Sequence, residues 1–276
     1  MEQFRRGELV FELSDCGSID APVVVLLHGH PQTAVAWDRV IPHVVRGGYR
    51  CVAPTQRGLS RGARPTRRRD YRMAELVADV SALIDAADAQ RVHLVGHDFG
   101  GLVAWSFAAE HSDRVSTLTS LSSPHPQALQ RAMLTSRQGL LSWYALAYQL
   151  PRLPERFYLG GDGRGDRLAR MLRSGGQQQD LAARDARAMT EPGRYAAALN
   201  WYRAAPWAGR TGVVSVPTML LWSDADKYIL ESAARRSEKY VMNDFRFEVL
   251  NGSHWMPDEQ PGQVADLLLD WFSKYP

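Results

Sequence analysis

Residues 96–101 read GHDFGG and place an acidic side chain, Asp98, inside a glycine-rich turn. An apolar run at 92–95 precedes the turn, and a helix-like stretch at 102–109 follows it. This order predicts a strand, a sharp turn and a helix, with glycines where the backbone is strained and the helix packs close to the strand. We expect the carboxylate of Asp98 to project from the tip of the turn, where it can act as a nucleophile.

A carboxylate at this tip favours attack on a saturated carbon. The product of that attack is an alkyl-enzyme ester, whose carbonyl group water can attack in turn to release an alcohol. A serine attacking the same carbon would leave an inert ether. Asp98 therefore indicates displacement at an epoxide or at a carbon–halogen bond. The structural alternative is that Asp98 only caps the helix that follows it.

Hydrolysis of the ester requires a general base and a carboxylate that orients the base. His254 follows the last predicted strand, at 245–250, where the base of such an architecture is expected. The loop after the predicted strand at 218–222 carries two acids, Asp224 and Asp226. One of the two can orient His254, and the other can cap the turn.

Charge that develops on the ester oxygen needs backbone donors. One donor is expected from the residue after the nucleophile, Phe99, and the other from an early loop. The early loop is HGHP at 28–31, and its donor is the N–H group of His30.

Apolar periodicity predicts an α/β fold, with a mostly parallel, doubly wound sheet between helices. The predicted strands are 23–27, 49–53, 92–95, 115–121, 218–222 and 245–250, and the clearest predicted helices are 73–87 and 261–272. Residues 126–207 contain no convincing strand. We interpret them as a helical cap with a glycine-rich hinge at 160–163, and 1–125 with 208–276 as the α/β core.

Composition restricts the remaining possibilities. The chain has 276 residues, of which 45% are hydrophobic, and no apolar run is long enough to span a bilayer. The beginning of the chain lacks the apolar core of a signal peptide, and Cys16 and Cys51 suggest no disulfide framework, so we expect a cytoplasmic protein. The net charge of +3 is mild.

One segment of the chain is rich in arginine, and we interpret it as a solvated surface loop rather than a nucleic-acid site. We expect no nucleic-acid or membrane partner, whereas a homodimer is possible. The arginines of this segment are Arg57, Arg61, Arg64, Arg67, Arg68, Arg69 and Arg72.

With Asp98, His254 and the HGHP loop, the chain resembles the α/β-hydrolases of the epoxide hydrolase and haloalkane dehalogenase group. The resemblance covers nearly the full length and implies that Asp226, rather than Asp224, is the orienting acid. It also implies two cap tyrosines that hold the epoxide oxygen and protonate it. Residues 199–203 match the segment of one, Tyr202, and residues 144–149 match that of the other, Tyr144, with Tyr148 as its near competitor.

The resemblance implies an epoxide hydrolase that converts a small apolar epoxide to a vicinal diol without cofactor or metal. Trp143, Trp201 and Trp207 are candidates for the lining of its pocket. The group commonly has Trp where this chain has Phe99, and haloalkane dehalogenases use that indole to hold halide. Dehalogenases of the fluoroacetate type carry arginines after the turn, and residues 100–107 contain none.

A haloalkane or haloacid dehalogenase with the same triad is therefore the alternative, since another cap indole such as that of Trp201 could replace the missing one. A repurposed, non-catalytic binding protein that keeps the fold is the lesser alternative.

Overall fold

The computed structural model describes residues 1–160 and 163–276 and contains one eight-stranded sheet. The strand order is β1-β2-β4-β3-β5-β6-β7-β8, and β3 to β8 pair in parallel. The strands are β1 (Gln3–Arg6), β2 (Leu9–Cys16), β3 (Val23–Leu27), β4 (Arg50–Pro54), β5 (Val92–His97), β6 (Val115–Leu121), β7 (Thr218–Ser223) and β8 (Phe245–Leu250).

All six predicted strands form, with end shifts of one or two residues at three of them. The predictions omitted β1 and β2, which add antiparallel to one edge of the sheet. These strands bury only Phe4 and Phe11 and carry a weak apolar pattern. The two buried rings stack with centroids 4.5 Å apart.

Helices cover both faces of the sheet. Alternate residues of β3 point to opposite faces, so Val24 and Leu26 pack in one apolar cluster while Val25 and Leu27 pack in the other. The helices outside the β6–β7 connection are α1 (Ile41–Arg46), α2 (Met73–Ala86), α3 (Phe99–Glu110), α11 (Glu231–Arg235), α12 (Met256–Glu259) and α13 (Pro261–Ser273). The predicted helices at 73–87 and 261–272 correspond to α2 and α13.

The connection between β6 and β7 is helical, and its described residues contain no strand. Its helices are α4 (Pro126–Thr135), α5 (Gln138–Leu141), α6 (Trp143–Ala147), α7 (Leu153–Leu159), α8 (Asp166–Ser174), α9 (Gln179–Met189) and α10 (Arg194–Arg203). Of the predicted hinge, Gly160 and Gly163 have positive φ angles, whereas Gly161 and Asp162 lie outside the described residues.

The arginine-rich segment is not a uniformly solvated loop, and that expectation is wrong for two of its members. Arg57 is buried, and its Nε and Nη2 atoms donate to Asp79 at 2.7 and 2.6 Å. Arg64 donates to the carbonyl groups of Gly58 and Leu59. Backbone carbonyl groups in a compact turn need hydrogen-bond donors, and one guanidinium can donate to two of them.

Two arginines of this segment, Arg61 and Arg64, link it to the helical connection through one acid, Glu191. Arg61, Arg64 and Arg194 all form ion pairs with it. The indole of Trp201 in α10 also donates to the carbonyl of Arg57 at 2.8 Å. The segment therefore fastens α10 to the sheet.

No helix within residues 1–160 and 163–276 is long and apolar enough to cross a membrane.

Replacing Arg57 should destabilise the fold, because Asp79 would remain buried with only Arg6 as its ionic partner. Breaking a buried pair from one side costs about 3 kcal/mol. We expect Arg57→Met to lower the free energy of unfolding by about that amount in urea titrations. The exposed Arg68→Met is the matched control and should change it little; equal losses in the two variants would contradict the role of Arg57.

Candidate active site

Asp98 occupies the tip of the turn between β5 and α3 in a strained conformation, with φ 51° and ψ −120°. The flanking positions must be glycine because the backbone nearby leaves no room for a side chain. A Cβ atom on Gly96 would lie 2.4 Å from the carbonyl oxygen of Gly100, and one on Gly100 would lie 2.4 Å from that of Leu27. The sequence thus folds into the predicted sharp turn because only glycine allows α3 to approach the sheet this closely.

The carboxylate of Asp98 points away from the helix that it precedes and makes no capping hydrogen bond. Its Oδ1 atom accepts the backbone N–H of His30 at 2.8 Å, and its Oδ2 atom lies 3.5 Å from Nε2 of His254. The capping interpretation of Asp98 is therefore not supported. Phe99 begins α3, where the N–H groups of the first turn have no partner within the helix.

His254 lies between two carboxylates. Its Nδ1 atom is 3.0 Å from Oδ2 of Asp226, and the other oxygen of Asp226 accepts the N–H groups of Tyr228 and Ile229. Asp224 instead accepts the N–H group of Gly252 at 3.0 Å and bridges the two loops. Asp226 is therefore the acid that contacts His254, whereas Asp224 makes a hydrogen bond between the loops.

Two tyrosines from the helical connection face Asp98. Tyr144 in α6 and Tyr202 in α10 have ring centroids 6.0 Å apart. Burial raises the pKa of each, and the negative charge of Asp98 raises it further, so both hydroxyls keep their protons. Tyr148 is also buried, but its pKa is raised by burial and by Tyr195, Tyr158 and Tyr144, its tyrosine neighbours.

Two cavities meet at Asp98, Tyr144 and Tyr202, which line both. The first measures about 300 Å³ and contains the polar groups His254, Tyr148 and Tyr228. The second measures about 360 Å³ and is mainly apolar; its lining includes Met73, Leu76, Leu102, Leu129 and Ile229. An apolar molecule with a reactive carbon at the junction would fit this arrangement.

Comparison with known proteins places this architecture in a family. The model of the family described as "alpha/beta hydrolase fold" matches residues 22–261. The chain belongs to the α/β hydrolase fold family. The fold class and the resemblance predicted from the sequence are thereby confirmed, and the protein is a hydrolase.

Relatives of this hydrolase cover most of its length. The AB hydrolase superfamily protein YfhM of Bacillus subtilis is 30% identical over an alignment of 275 positions, which covers 95% of this chain and 94% of the relative. Epoxide hydrolase A of Mycobacterium tuberculosis is 30% identical, with 94% of this chain and 92% of the relative covered. The crystal structure of epoxide hydrolase A from Mycobacterium thermoresistibile has a TM-score of 0.81 at 28% identity and covers 97% and 96% of the two chains.

The three tryptophans predicted to line the pocket of the hydrolase occupy different environments. Trp201 lines the second cavity and stacks on Phe99 with centroids 4.9 Å apart. Trp143 lines the first cavity at the surface. Trp207 lies in a short 3-10 turn, is 44% exposed and is absent from the described lining of either cavity.

Two residues near the site were missed by the sequence reasoning. The ring of Tyr228 lies edge-on to His254 with centroids 4.9 Å apart, and its position two residues after Asp226 was the available signal. His97 precedes the nucleophile, and its Nε2 atom is 2.9 Å from the backbone oxygen of His254. Burial lowers the pKa of His97 to about 4, so this contact is a donated hydrogen bond from a neutral imidazole.

The neighbouring carboxylates raise the pKa of His254 by more than burial lowers it. Burial lowers the pKa of His254, but the charge and hydrogen bond of Asp226, together with those of Asp98, raise it to about 10. Burial raises the pKa of Asp98, but His254, His97 and the His30 N–H group hold it far below its usual range. The free site is therefore an imidazolium between two carboxylates.

This arrangement predicts a pH dependence of stability. The imidazole has an ordinary pKa of 6.5 when unfolded and about 10 when folded, so its contribution is fully present below about pH 6.5 and is lost as the pH rises through about 10. We expect the free energy of unfolding of the wild type to fall more between neutral pH and pH 10 than that of His254→Gln, in urea titrations at each pH. Parallel curves for the two proteins would show that His254 does not carry this proton.

Proposed function

We propose that this hydrolase is an epoxide hydrolase, which opens a small apolar epoxide to a vicinal diol. The observation that carries the proposal is the carboxylate of Asp98 facing His254 on one side and two protonated tyrosines on the other. This chain matches the M. tuberculosis and M. thermoresistibile relatives over nearly their whole length, and both are named epoxide hydrolases. Their names support the same activity.

In the first step, Oδ2 of Asp98 attacks an epoxide carbon. Oδ1 accepts the N–H group of His30, whereas Oδ2 lies 3.5 Å from Nε2 of His254, a longer contact, so we assign the new bond to Oδ2. The carbon–oxygen bond of the epoxide breaks, and the oxygen receives a proton from Tyr144 or Tyr202. Ester formation removes the charge of Asp98, and loss of that charge makes both tyrosines more acidic at the moment when the proton is needed.

In the second step, water attacks Cγ of Asp98. Neutralisation of Asp98 lowers the pKa of His254, whose proton passes to the tyrosinate left by the first step. The neutral His254 then accepts the proton of the water, while Asp226 stabilises the imidazolium that forms. Negative charge develops on Oδ1, which accepts the N–H group of His30, and we assign the second donor to the N–H group of Phe99. The bond from Cγ to Oδ2 breaks, and the diol leaves with a proton from His254. The carboxyl proton that Asp98 keeps from the water then passes to His254, which restores ionised Asp98 and the protonated imidazole.

In this mechanism, residues 126–207 act as a cap that supplies Tyr144 and Tyr202, and 1–125 with 208–276 form the core that supplies the other groups. Tyr144 is favoured over Tyr148 as the second acid because Tyr144 lines both of the described cavities. Of these two cavities, Tyr148 lines the first alone. The mainly apolar second cavity supports an apolar substrate arm.

Dehalogenation is the less favoured function. A halide needs a donor near the nucleophile, and Phe99 has none on its side chain. The indole N–H of Trp201, which could replace it, is bound to the carbonyl of Arg57. Neither residue can therefore hold a halide ion in this conformation.

The covalent step is tested by trapping the ester. His254→Gln should form the ester with Asp98 but hydrolyse it slowly, because a general base contributes about 10²–10⁴-fold to the rate. We expect intact-mass spectrometry to show the enzyme plus one substrate mass after mixing with a panel of epoxides. Asp98→Asn is the matched control and should show no adduct.

Diol and halide release should be measured together across the epoxides and a set of haloalkanes and haloacids. Diol formation without halide release supports the proposal. Halide release by the wild type without diol formation would assign the dehalogenase function instead.

The two tyrosines are tested by removing one hydroxyl at a time. Tyr144→Phe and Tyr202→Phe should each lower kcat/KM by about 10–100-fold, because the remaining tyrosine can still protonate the oxygen. Tyr148→Phe should change it by less than about threefold. A larger loss in Tyr148→Phe than in Tyr144→Phe would exchange the roles of these two residues.

A further inference from the structure

The helical connection of this hydrolase exposes an unusual apolar face. Among the described residues, eight large hydrophobic side chains are more than half exposed, and six of them lie between residues 134 and 157. This apolar face consists of Leu134, Leu140, Trp143, Leu146, Leu153 and Phe157. Soluble monomers rarely leave so many apolar side chains together in water without a partner.

The members of the apolar face lie close together along the chain, and four of them form two pairs within helices. Trp143 and Leu146 lie one turn apart in α6, and Leu153 and Phe157 lie one turn apart in α7. Leu140 and Trp143 line the first cavity, whereas Leu146 lines the second. Leu140, Trp143 and Leu146 therefore belong both to the apolar face and to the cavity walls.

Positive charge surrounds the apolar face. Residues 131–157 contain four arginines, all exposed, namely Arg131, Arg137, Arg152 and Arg156. The single acid of this range, Glu155, is neutralised by Arg203 at 2.7 Å. A second copy of the chain on this face would bring the arginines of both copies together, at an electrostatic cost. The charge instead favours an anionic partner.

We propose that the apolar face docks on the surface of an anionic phospholipid bilayer. The leucines, Trp143 and Phe157 enter the headgroup region, and the four arginines contact lipid phosphates. Such binding is compatible with the lack of a spanning helix in the described residues, and it departs from the expectation, drawn from the sequence, that the protein has no membrane partner. Docking would bring the cavity-lining side chains Leu140, Trp143 and Leu146 next to the lipid. Delivery of an apolar epoxide from the bilayer rests on the proposed function, whereas docking itself does not.

The full-length protein should be sedimented with vesicles of phosphatidylcholine alone and of phosphatidylcholine mixed with phosphatidylglycerol, without substrate. We expect binding to the anionic vesicles that weakens with salt, and much weaker binding to the neutral ones. Leu134→Ser/Phe157→Ser and Arg131→Gln/Arg156→Gln should each lower the vesicle partition coefficient by about tenfold or more.

The matched control is Ile19→Ser/Met242→Ser, which removes two equally exposed apolar side chains outside the face and should bind as the wild type does. Equal binding to neutral and anionic vesicles, no binding to either, or an equal loss in the control variant would overturn the proposal. So would a dimer in light scattering that Leu134→Ser/Phe157→Ser converts to a monomer. Binding that persists in a protein that turns over no epoxide would keep the docking surface and reject the proposed function.

Discussion

The strained backbone at Asp98 is the constraint on which the site depends. A positive φ angle at this position turns the chain from β5 into α3 within one residue and directs the carboxylate away from the helix. The close approach of α3 to β3, which only glycine at position 100 permits, holds that conformation in place. The packed sheet and helix therefore offset the backbone strain and keep the carboxylate pre-positioned for reaction.

The charge of Asp98 links the surrounding groups electrostatically. It contributes to the raised pKa of His254, Tyr144 and Tyr202, so all three hold protons while Asp98 is ionised. In the mechanism proposed above, alkylation of Asp98 removes that contribution from all three at once. The tyrosines then become better acids and His254 a better base, so one change of charge prepares both proton transfers.

The helical connection is attached to the sheet by buried polar groups on two sides of the site. On one side, Trp201 donates to Arg57, which is itself paired with Asp79. On the other side, Arg184 of α9 binds Asp258, four residues after His254. Since the proposed tyrosines come from this connection and the nucleophile from the sheet, these attachments set the distance between them.

The sequence by itself determined the elements and the turn. Continuous apolar runs specified the parallel strands, and the glycines around Asp98 specified the sharp turn, because both signals depend only on neighbouring residues. The edge strands β1 and β2 escaped prediction because their pattern is weak and their pairing is with distant residues.

Only the tertiary structure decided which side chains meet. It brings Asp226 rather than Asp224 to His254, engages the indole of Trp201 with Arg57 and buries an arginine expected in solvent. Each of these outcomes depends on side-chain direction and on contacts between residues far apart in the chain, which local periodicity does not encode.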